Sequence, residues 1–159
     1  MIIVSIVISG IISGCIEQRP NSKGQYKDLV TVMELEKSTF KQEEKIYITL
    51  TTTNNGNDII SLNVKGHDIE IYSSDGESIG RITQRRGDKA VNLGPGVSLF
   101  EYFYWYQTYK DSNGINTELG PGKYYIIGYL QVDNYKDPEG EHPIGEDSIK
   151  TESLALTIE

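Results

Sequence analysis

The segment LFEYFYWYQTY, Leu99 to Tyr109, holds seven of the chain's fifteen aromatic residues. Alternate side chains of a β-strand point to opposite faces, so this segment divides its aromatic residues between two faces. Phe103 and Trp105 share one face with Leu99. The opposite face carries the side chains of Phe100, Tyr102, Tyr104 and Tyr106. Two aromatic faces exceed what a core alone requires, and the second face is therefore a candidate contact surface.

The segments on both sides of this strand have the pattern of further strands. In KIYITLTTTN, the alternation of Ile46, Ile48 and Leu50 with polar residues is typical of a half-buried strand. The turn sequences NNGND, SDGE and two copies of LGPG separate several more short apolar segments. No convincing helix is found. About eight strands at this spacing predict one all-β domain, an antiparallel β-sandwich.

The composition excludes several classes of function. The 159 residues suit one domain, and the net charge of −8 argues against nucleic-acid binding. Cys15 is the only cysteine, so no disulfide and no cysteine-rich metal cluster is expected. The two histidines, His67 and His142, have no nucleophile beside them, and we interpret both as solvated surface groups rather than catalytic residues. The chain is therefore predicted to be no enzyme and to hold no cofactor.

The N-terminal segment MIIVSIVISGIISGC, residues 1–15, has no charged side chain and is apolar. It resembles the signal of prokaryotic lipoproteins, in which a lipidated cysteine follows small residues, here Ser13 and Gly14. This predicts a signal peptide over 1–14, a lipid-anchored Cys15, and a place on the extracytoplasmic face of the cell membrane. The polar residues 15–28 read as a flexible tether to a domain over 29–159. The alternative is an uncleaved anchor with an incidental cysteine.

The second LGPG turn predicts a tyrosine corner. In LGPGKY, Leu119 lies five residues before Tyr124, a spacing typical of Greek-key sandwiches, in which the tyrosine hydroxyl bonds back to the preceding connection. Tyr124 shares its predicted core face with Ile126, Leu130 and Val132. The opposite face carries Tyr125, Ile127 and Tyr129.

Together, these pieces resemble a known family. The succession of Asn55-Gly56, the hairpin around Asp75-Gly76, two LGPG turns, Trp105 and the LGPGKY motif is similar to the BsuPI-type intracellular proteinase inhibitor domain, over about residues 44–133. The resemblance implies an immunoglobulin-like sandwich with Trp105 in its core. It implies protease inhibition only weakly, because one sandwich fold serves many functions.

The tyrosine face is the main candidate partner-binding site. Tyr102, Tyr104 and Tyr106 are expected to face outward, and Tyr125 and Tyr129 would join them if the two strands are neighbours. Two other interpretations remain open: a tyrosine-rich outer face that reflects β-propensity alone, or a face covered by the tether or by the acidic loop. The loop that carries Arg85 and Arg86 is a further candidate contact site.

The acidic segment DNYKDPEGEHPIGED is predicted to be a solvated loop, and no metal site is expected. Its carboxylates are those of Asp133, Asp137, Glu139, Glu141, Glu146 and Asp147. The predicted function is a lipid-anchored module that binds a partner protein, a subtilisin-like serine protease being the first choice. The alternative is a structural or adhesive module of the cell envelope with no protease target, and carbohydrate binding by the tyrosine face is a third hypothesis.

Overall fold

The computed structural model describes residues 19–83, 87–110, 114–144 and 149–159. Within these ranges the chain forms thirteen β-strands and no helix. The strands are β1 Asn21–Tyr26, β2 Leu29–Leu35, β3 Thr39–Phe40, β4 Ile46–Asn54, β5 Ile60–Ser73, β6 Ser78–Thr83, β7 Lys89–Leu93, β8 Ser98–Trp105, β9 Thr108–Lys110, β10 Asn116–Glu118, β11 Gly122–Asp137, β12 Gly140–Pro143 and β13 Leu154–Ile158.

Two main sheets pack face to face. The four-stranded sheet has the order β1-β2-β4-β8. The seven-stranded sheet has the order β3-β13-β11-β5-β6, with β12 paired to β11 and β7 paired to β5. All of these pairings are antiparallel except the short parallel contact of β13 with β3. The predicted all-β antiparallel sandwich is therefore confirmed, with thirteen described strands where about eight were expected.

The core consists of the inward faces of the two sheets. Ile46, Ile48 and Leu50 of β4 are almost fully buried, as their alternation predicts. From the other sheet, Leu156 and Ile158 of β13 are buried in the same cluster. Burial of each such side chain stabilises the fold by roughly 1.5–3 kcal/mol. The period-2 pattern thus identifies the two faces that meet in the core.

β5 is a single strand of 14 residues whose buried face changes along its length. Ile60, Leu62 and Val64 are buried at even positions, whereas Ile69 and Ile71 are buried at odd positions. A register shift opposite Gln131 and Val132 of β11, next to Gly66 with its φ of 130°, accounts for the change. An extra residue at such a bulge exchanges the faces of all later side chains.

The predicted tether is wrong for residues 21–26, because they form β1. This strand pairs with β2 from Asn21 opposite Glu34 to Tyr26 opposite Leu29. Its sequence carries no apolar alternation, since the strand lies at a sheet edge and is held mainly by backbone hydrogen bonds. Gly24 is also required there, because a Cβ at this position would collide with the carbonyl oxygen of Lys150.

Two predicted loops also contain strands. Residues 89–93 form β7, which pairs with β5 from Lys89 opposite Val64 to Leu93 opposite Ile60. The acidic segment is a β-hairpin instead of a solvated loop, because β11 continues to Asp137 and β12 returns beside it. Burial of Tyr135 (1% exposed) on β11 explains why the strand does not end earlier.

The tyrosine corner is present. The Tyr124 hydroxyl donates to the carbonyl oxygen of Gly120 at 2.8 Å. Trp105 is buried, as expected, and its Nε1–H donates to the carbonyl oxygen of Thr108 at 2.7 Å. Tyr124 itself is only partly buried against the core, which corrects the expectation that it lies fully inside.

Candidate functional site

β8 presents a row of aromatic side chains on the outer face of the four-stranded sheet. Phe103 and Trp105 point into the core, and the alternate positions point outward, as parity predicts. The exposed fractions are 63% for Phe100, 56% for Tyr102 and 54% for Tyr104, and Tyr106, which directly follows the strand, is 60% exposed.

Tyr47 of β4 extends this row sideways, because it lies directly opposite Tyr104 in the sheet. Their ring centroids are 5.3 Å apart with an interplanar angle of 84°, an edge-to-face contact. The Nζ atom of Lys45 lies 4.6–5.3 Å from the ring centroids of Tyr47, Tyr104 and Tyr106. A hydrogen bond with Tyr106 raises the pKa of Lys45 against the opposing effect of desolvation. We call Tyr47, Phe100, Tyr102, Tyr104 and Tyr106, with Lys45, the aromatic patch.

The aromatic patch concentrates exposed apolar surface in one place. Among the described residues, nine large hydrophobic side chains are exposed, and five of them belong to the patch. Scattered exposed hydrophobic residues are normal in a monomer, but a contiguous group is typical of an interaction site. Tyrosine also provides contact area at low entropic cost, because its ring has few rotatable bonds.

The rings of the patch do not form a flat platform. Phe100 and Tyr102 have centroids 5.7 Å apart and an interplanar angle of 67°, and the pair of Tyr47 and Tyr104 is nearly perpendicular. Rings at such angles leave clefts between them. Such an uneven surface suits interdigitating side chains better than sugar rings, which stack on coplanar aromatic surfaces.

Tyr125 and Tyr129 do not join the aromatic patch. They lie on β11 in the seven-stranded sheet, whereas β8 belongs to the four-stranded sheet, so the outer faces of these strands point away from each other. Tyr125 is 37% exposed on its own outer face.

The predicted exposure of Tyr129 is wrong, because only 2% of this residue is accessible. Lys150 pairs with the edge of β11 at Tyr129 through an isolated antiparallel β-bridge, so this segment lies beside β11 within the sheet. The Tyr129 hydroxyl lies 3.3 Å from that of Tyr72, and the Arg81 guanidinium lies over the ring, 5.7 Å from its centroid. Burial raises the pKa of Tyr129, and the hydrogen bonds with Tyr72 and Glu70 raise it further.

The remaining predicted site residues lie outside the described part of the chain. Arg85 and Arg86 fall between β6 and β7, and Cys15 lies before the first described residue. Within the described ranges, no helix is both long and apolar enough to cross a membrane. Lipidation of Cys15 and partner contact by the two arginines therefore stay predictions.

A buried polar chain connects the two sheets. Glu101 of β8 accepts the backbone N–H of His67 at 3.0 Å, and its Oε2 atom lies 3.4 Å from Nδ1 of the same residue. His67 Nε2 lies 3.0 Å from Oγ1 of Thr52, which lies 2.9 Å from Oγ1 of Thr31. The interpretation of His67 as a solvated surface group is therefore wrong, since it is 3% exposed.

The order of carboxylate, imidazole and hydroxyl in this chain is that of a nucleophilic triad, but its hydroxyl is inaccessible. Thr52 is 0% exposed, so no substrate reaches its oxygen in this structure. The sequence contained a signal for this network: Glu101 shares its parity with Phe103 and Trp105. A carboxylate on the buried face of a strand requires a partner from the opposite sheet.

The acidic hairpin brings three possible metal-ligating groups together. Ligand atoms of Asp137, Glu139 and His142 lie within 4.8 Å of one another. Asp137 is already well bonded: Oδ2 accepts Lys27 Nζ at 3.1 Å, and Oδ1 accepts the backbone N–H of Glu139 at 2.9 Å. His142 Nε2 also lies 3.1 Å from Oδ1. These bonds indicate that the Asp137 carboxylate holds the β11–β12 hairpin against the β1–β2 turn. Glu146 and Asp147 lie outside the described residues.

No protein-family model and no curated protein sequence matches the chain. Solved structures match its fold. A β-glucosidase from Erythrobacter marinus is 18% identical, with a TM-score of 0.46, over 89% of this chain and 16% of that one. The CARDB domain of a Pyrococcus furiosus protein is 14% identical, with a TM-score of 0.40, over 80% of this chain and 84% of that one. The chain thus spans about 16% of the length of the β-glucosidase.

Proposed function

We propose that the chain is a lipid-anchored, extracytoplasmic module that binds a partner protein through the aromatic patch. The patch itself carries the proposal: five large side chains, three of them on β8, lie together and are each 46–63% exposed, whereas Tyr129 on β11 is 2% exposed. Protein interfaces are enriched in tyrosine and phenylalanine at their centres, and a few such side chains provide most of the binding free energy.

A protein suits this surface better than a carbohydrate. The interplanar angles of 84° and 67° leave no pair of coplanar neighbouring rings among these contacts. The cation of Lys45 above three of the tyrosines adds a polar centre, which a partner carboxylate could contact.

The matched experiment compares how the outer faces of the four-stranded and the seven-stranded sheet contribute to partner binding. A Tyr102→Ser/Tyr104→Ser variant and a Tyr125→Ser control would be used as full-length baits in detergent extracts of membranes from the source cells. We expect the double variant to lose its partner by at least about tenfold, because each lost hot-spot side chain is worth about 1.4 kcal/mol or more. The control should retain the partner. Equal capture by the unmodified chain, the double variant and the control would exclude the patch as the contact. If the double variant instead lost binding to polysaccharide, the carbohydrate hypothesis would be favoured.

The membrane anchor is tested separately through Cys15. Two acyl chains hold a protein firmly on a membrane, whereas one binds only marginally. A Cys15→Ser variant should therefore leave the membrane fraction or accumulate as an unprocessed precursor. Recovery of fully processed Cys15→Ser protein in membranes would be incompatible with lipid anchoring.

A subtilisin-like serine protease is the partner class that the BsuPI resemblance suggests. The resemblance gains support from the turns it rests on: Gly76 and Gly96 adopt the positive φ values of 84° and 72° that glycine permits, and the corner of Tyr124 is formed. The test is titration of the full chain into a panel of such proteases while peptide hydrolysis is followed. Micromolar inhibition with the chain left intact would support an inhibitor, and absence of inhibition would favour the envelope module.

A further inference from the structure

β8 is the edge strand of the four-stranded sheet. Among the described residues it pairs only with β4, from Trp105 opposite Ile46 to Ser98 opposite Thr53. In an antiparallel pair, alternate residues direct their N–H and C=O groups toward the partner strand, and the others direct them away. About half of the backbone groups of β8 therefore face the groove beside it, where they can template another extended chain.

The strand has few of the features that protect sheet edges. Proline, lysine and bulges commonly block such pairing. The sequence SLFEYFYW of β8 contains neither proline nor lysine, and its eight residues pair with β4 without a register shift. Its one charged residue, Glu101, is 5% exposed and is held by His67.

Two cavities lie along the groove beside β8. A cavity of about 170 Å³ borders Leu99 to Glu101, with Lys65 and Lys89 on its opposite side. A second cavity, of about 400 Å³, borders Tyr104 to Tyr106, with Arg81 and Lys110 opposite. Each half of the strand therefore has open volume beside it.

The charge of this groove differs from that of the whole chain. Lys65, Lys89, Arg81 and Lys110 line the two cavities, and Glu101 is the one carboxylate among the described residues of their walls. The chain as a whole carries a net charge of −8. Arg81 already faces Asp68 at 3.7 Å, and Lys65 is paired with Asp133. The exposed Lys89 and Lys110, at opposite ends of the groove, therefore provide most of the attraction for an anionic partner.

We infer that the partner docks as an acidic, extended segment that adds a fifth strand to the four-stranded sheet beside β8. Backbone hydrogen bonds along β8 would give the affinity, and the lysines at the two ends would favour carboxylates. Alternate side chains of the added strand lie next to the aromatic patch. The inference therefore deepens the proposed function and rests on it.

The test measures hydrogen exchange at the amides of residues 98–105 in the full-length chain. The probe is a synthetic octapeptide of alternating valine and glutamate, with an N-methylated analogue that lacks N–H donors and a valine–lysine analogue as controls. We expect the valine–glutamate peptide alone to slow exchange at alternate β8 amides by at least about tenfold. A Lys89→Glu/Lys110→Glu variant should weaken its binding by about tenfold, and Lys123→Glu, exposed on the other sheet, should leave it unchanged.

The remaining outcomes overturn the inference in different ways. Equal protection by the N-methylated peptide would mean contact through side chains alone, and equal protection by the lysine peptide would exclude an acidic partner. Protection without peptide, in a dimeric chain, would make a second copy the occupant. If no peptide protects β8 while the Tyr102→Ser/Tyr104→Ser variant still loses its partner, strand addition fails and the proposed function stands. If that variant keeps its partner, the proposed function fails.

Discussion

β8 and β11 are both aromatic strands, yet their outward tyrosines have opposite surroundings. On β8, Tyr102 and Tyr104 are 56% and 54% exposed. On β11, Tyr125 is 37% exposed and Tyr129 only 2%. The prediction from strand parity, that all four side chains point away from the core, is correct. The difference goes with the neighbours of Tyr129: the Arg81 guanidinium lies over its ring, and the Tyr72 hydroxyl contacts its hydroxyl.

The comparison shows what makes an outward aromatic residue a binding candidate. Tyr129 has hydrogen-bonding and cation–π partners within its own chain, from Tyr72 and Arg81, so its role is structural. In the aromatic patch, Tyr104 contacts the ring of Tyr47, and the Lys45 ammonium lies over Tyr104 and the following Tyr106, while these three tyrosines stay 46–60% exposed. A tyrosine-rich sequence pattern is thus compatible with both roles, and the neighbouring side chains decide between them.

The largest expected effect separates the two faces of β8 itself. Trp105→Ala should lower the free energy of unfolding by about 3–5 kcal/mol, because it opens a cavity in the core and leaves the Thr108 carbonyl without its donor. Tyr104→Ala should lower it by about 1 kcal/mol or less, through lost cross-strand contacts. Chemical denaturation of both variants is the measurement, and similar losses would refute the division of β8 into an inner and an outer face.

A second variant tests the polar position on the inner face of β8. Glu101→Ala removes the acceptor for the buried N–H of His67, and an unsatisfied buried donor costs about 1–3 kcal/mol. Glu101→Gln keeps a carbonyl oxygen there and should lose clearly less. Urea unfolding of the two variants checks this difference. If alanine and glutamine behave alike, the Glu101–His67 contact does not stabilise the sandwich.

On β11, removal of the tyrosine hydroxyl should affect the buried Tyr129 more than the exposed Tyr125. Tyr129→Phe should destabilise the domain by about 1 kcal/mol, since the hydroxyl bonded to Tyr72 is lost from a buried site. Tyr125→Phe should change the free energy of unfolding by less than about 0.5 kcal/mol. Thermal unfolding of the pair suffices as the measurement. A neutral Tyr129→Phe would mean that the hydroxyl contact with Tyr72 does not stabilise the domain.

Local patterns predicted the parts of this fold that depend on local chemistry. The inward face of Ile46, Ile48 and Leu50, the split of β8 and the corner of Tyr124 all follow from period 2 or from turn residues. The aromatic patch on β8 could be predicted for the same reason, because side-chain direction within one strand is a local property.

Contacts distant in sequence could not be predicted in this way. Burial of Tyr129 goes with its contacts to Tyr72 and Arg81 on other strands, and β1 depends on the close approach of Gly24 to the carbonyl oxygen of Lys150. Neither contact leaves a periodic signal in the segment around it. The buried His67 was missed because its partner Glu101 lies on another sheet, 34 residues away.

The smallest expected effect lies at the far end of β11, where Asp137 joins the β11–β12 hairpin to Lys27. Desolvation opposes ionisation there, but hydrogen bonds from Lys27, His142 and the Glu139 N–H outweigh it and lower the pKa of Asp137 from 3.8 to about 2. The carboxylate therefore stabilises the hairpin fully above pH 3.8, and this contribution is lost as the pH falls through about 2. An NMR titration of the Asp137 carboxyl carbon should show a midpoint well below 3.8, and Lys27→Met should move the midpoint upward. A midpoint near 3.8 in the unmodified chain would show that Lys27 and His142 do not stabilise the Asp137 carboxylate. The end of the hairpin would then be held by the backbone pairing of β11 with β12 alone, just as β8 is held in its sheet by its pairing with β4.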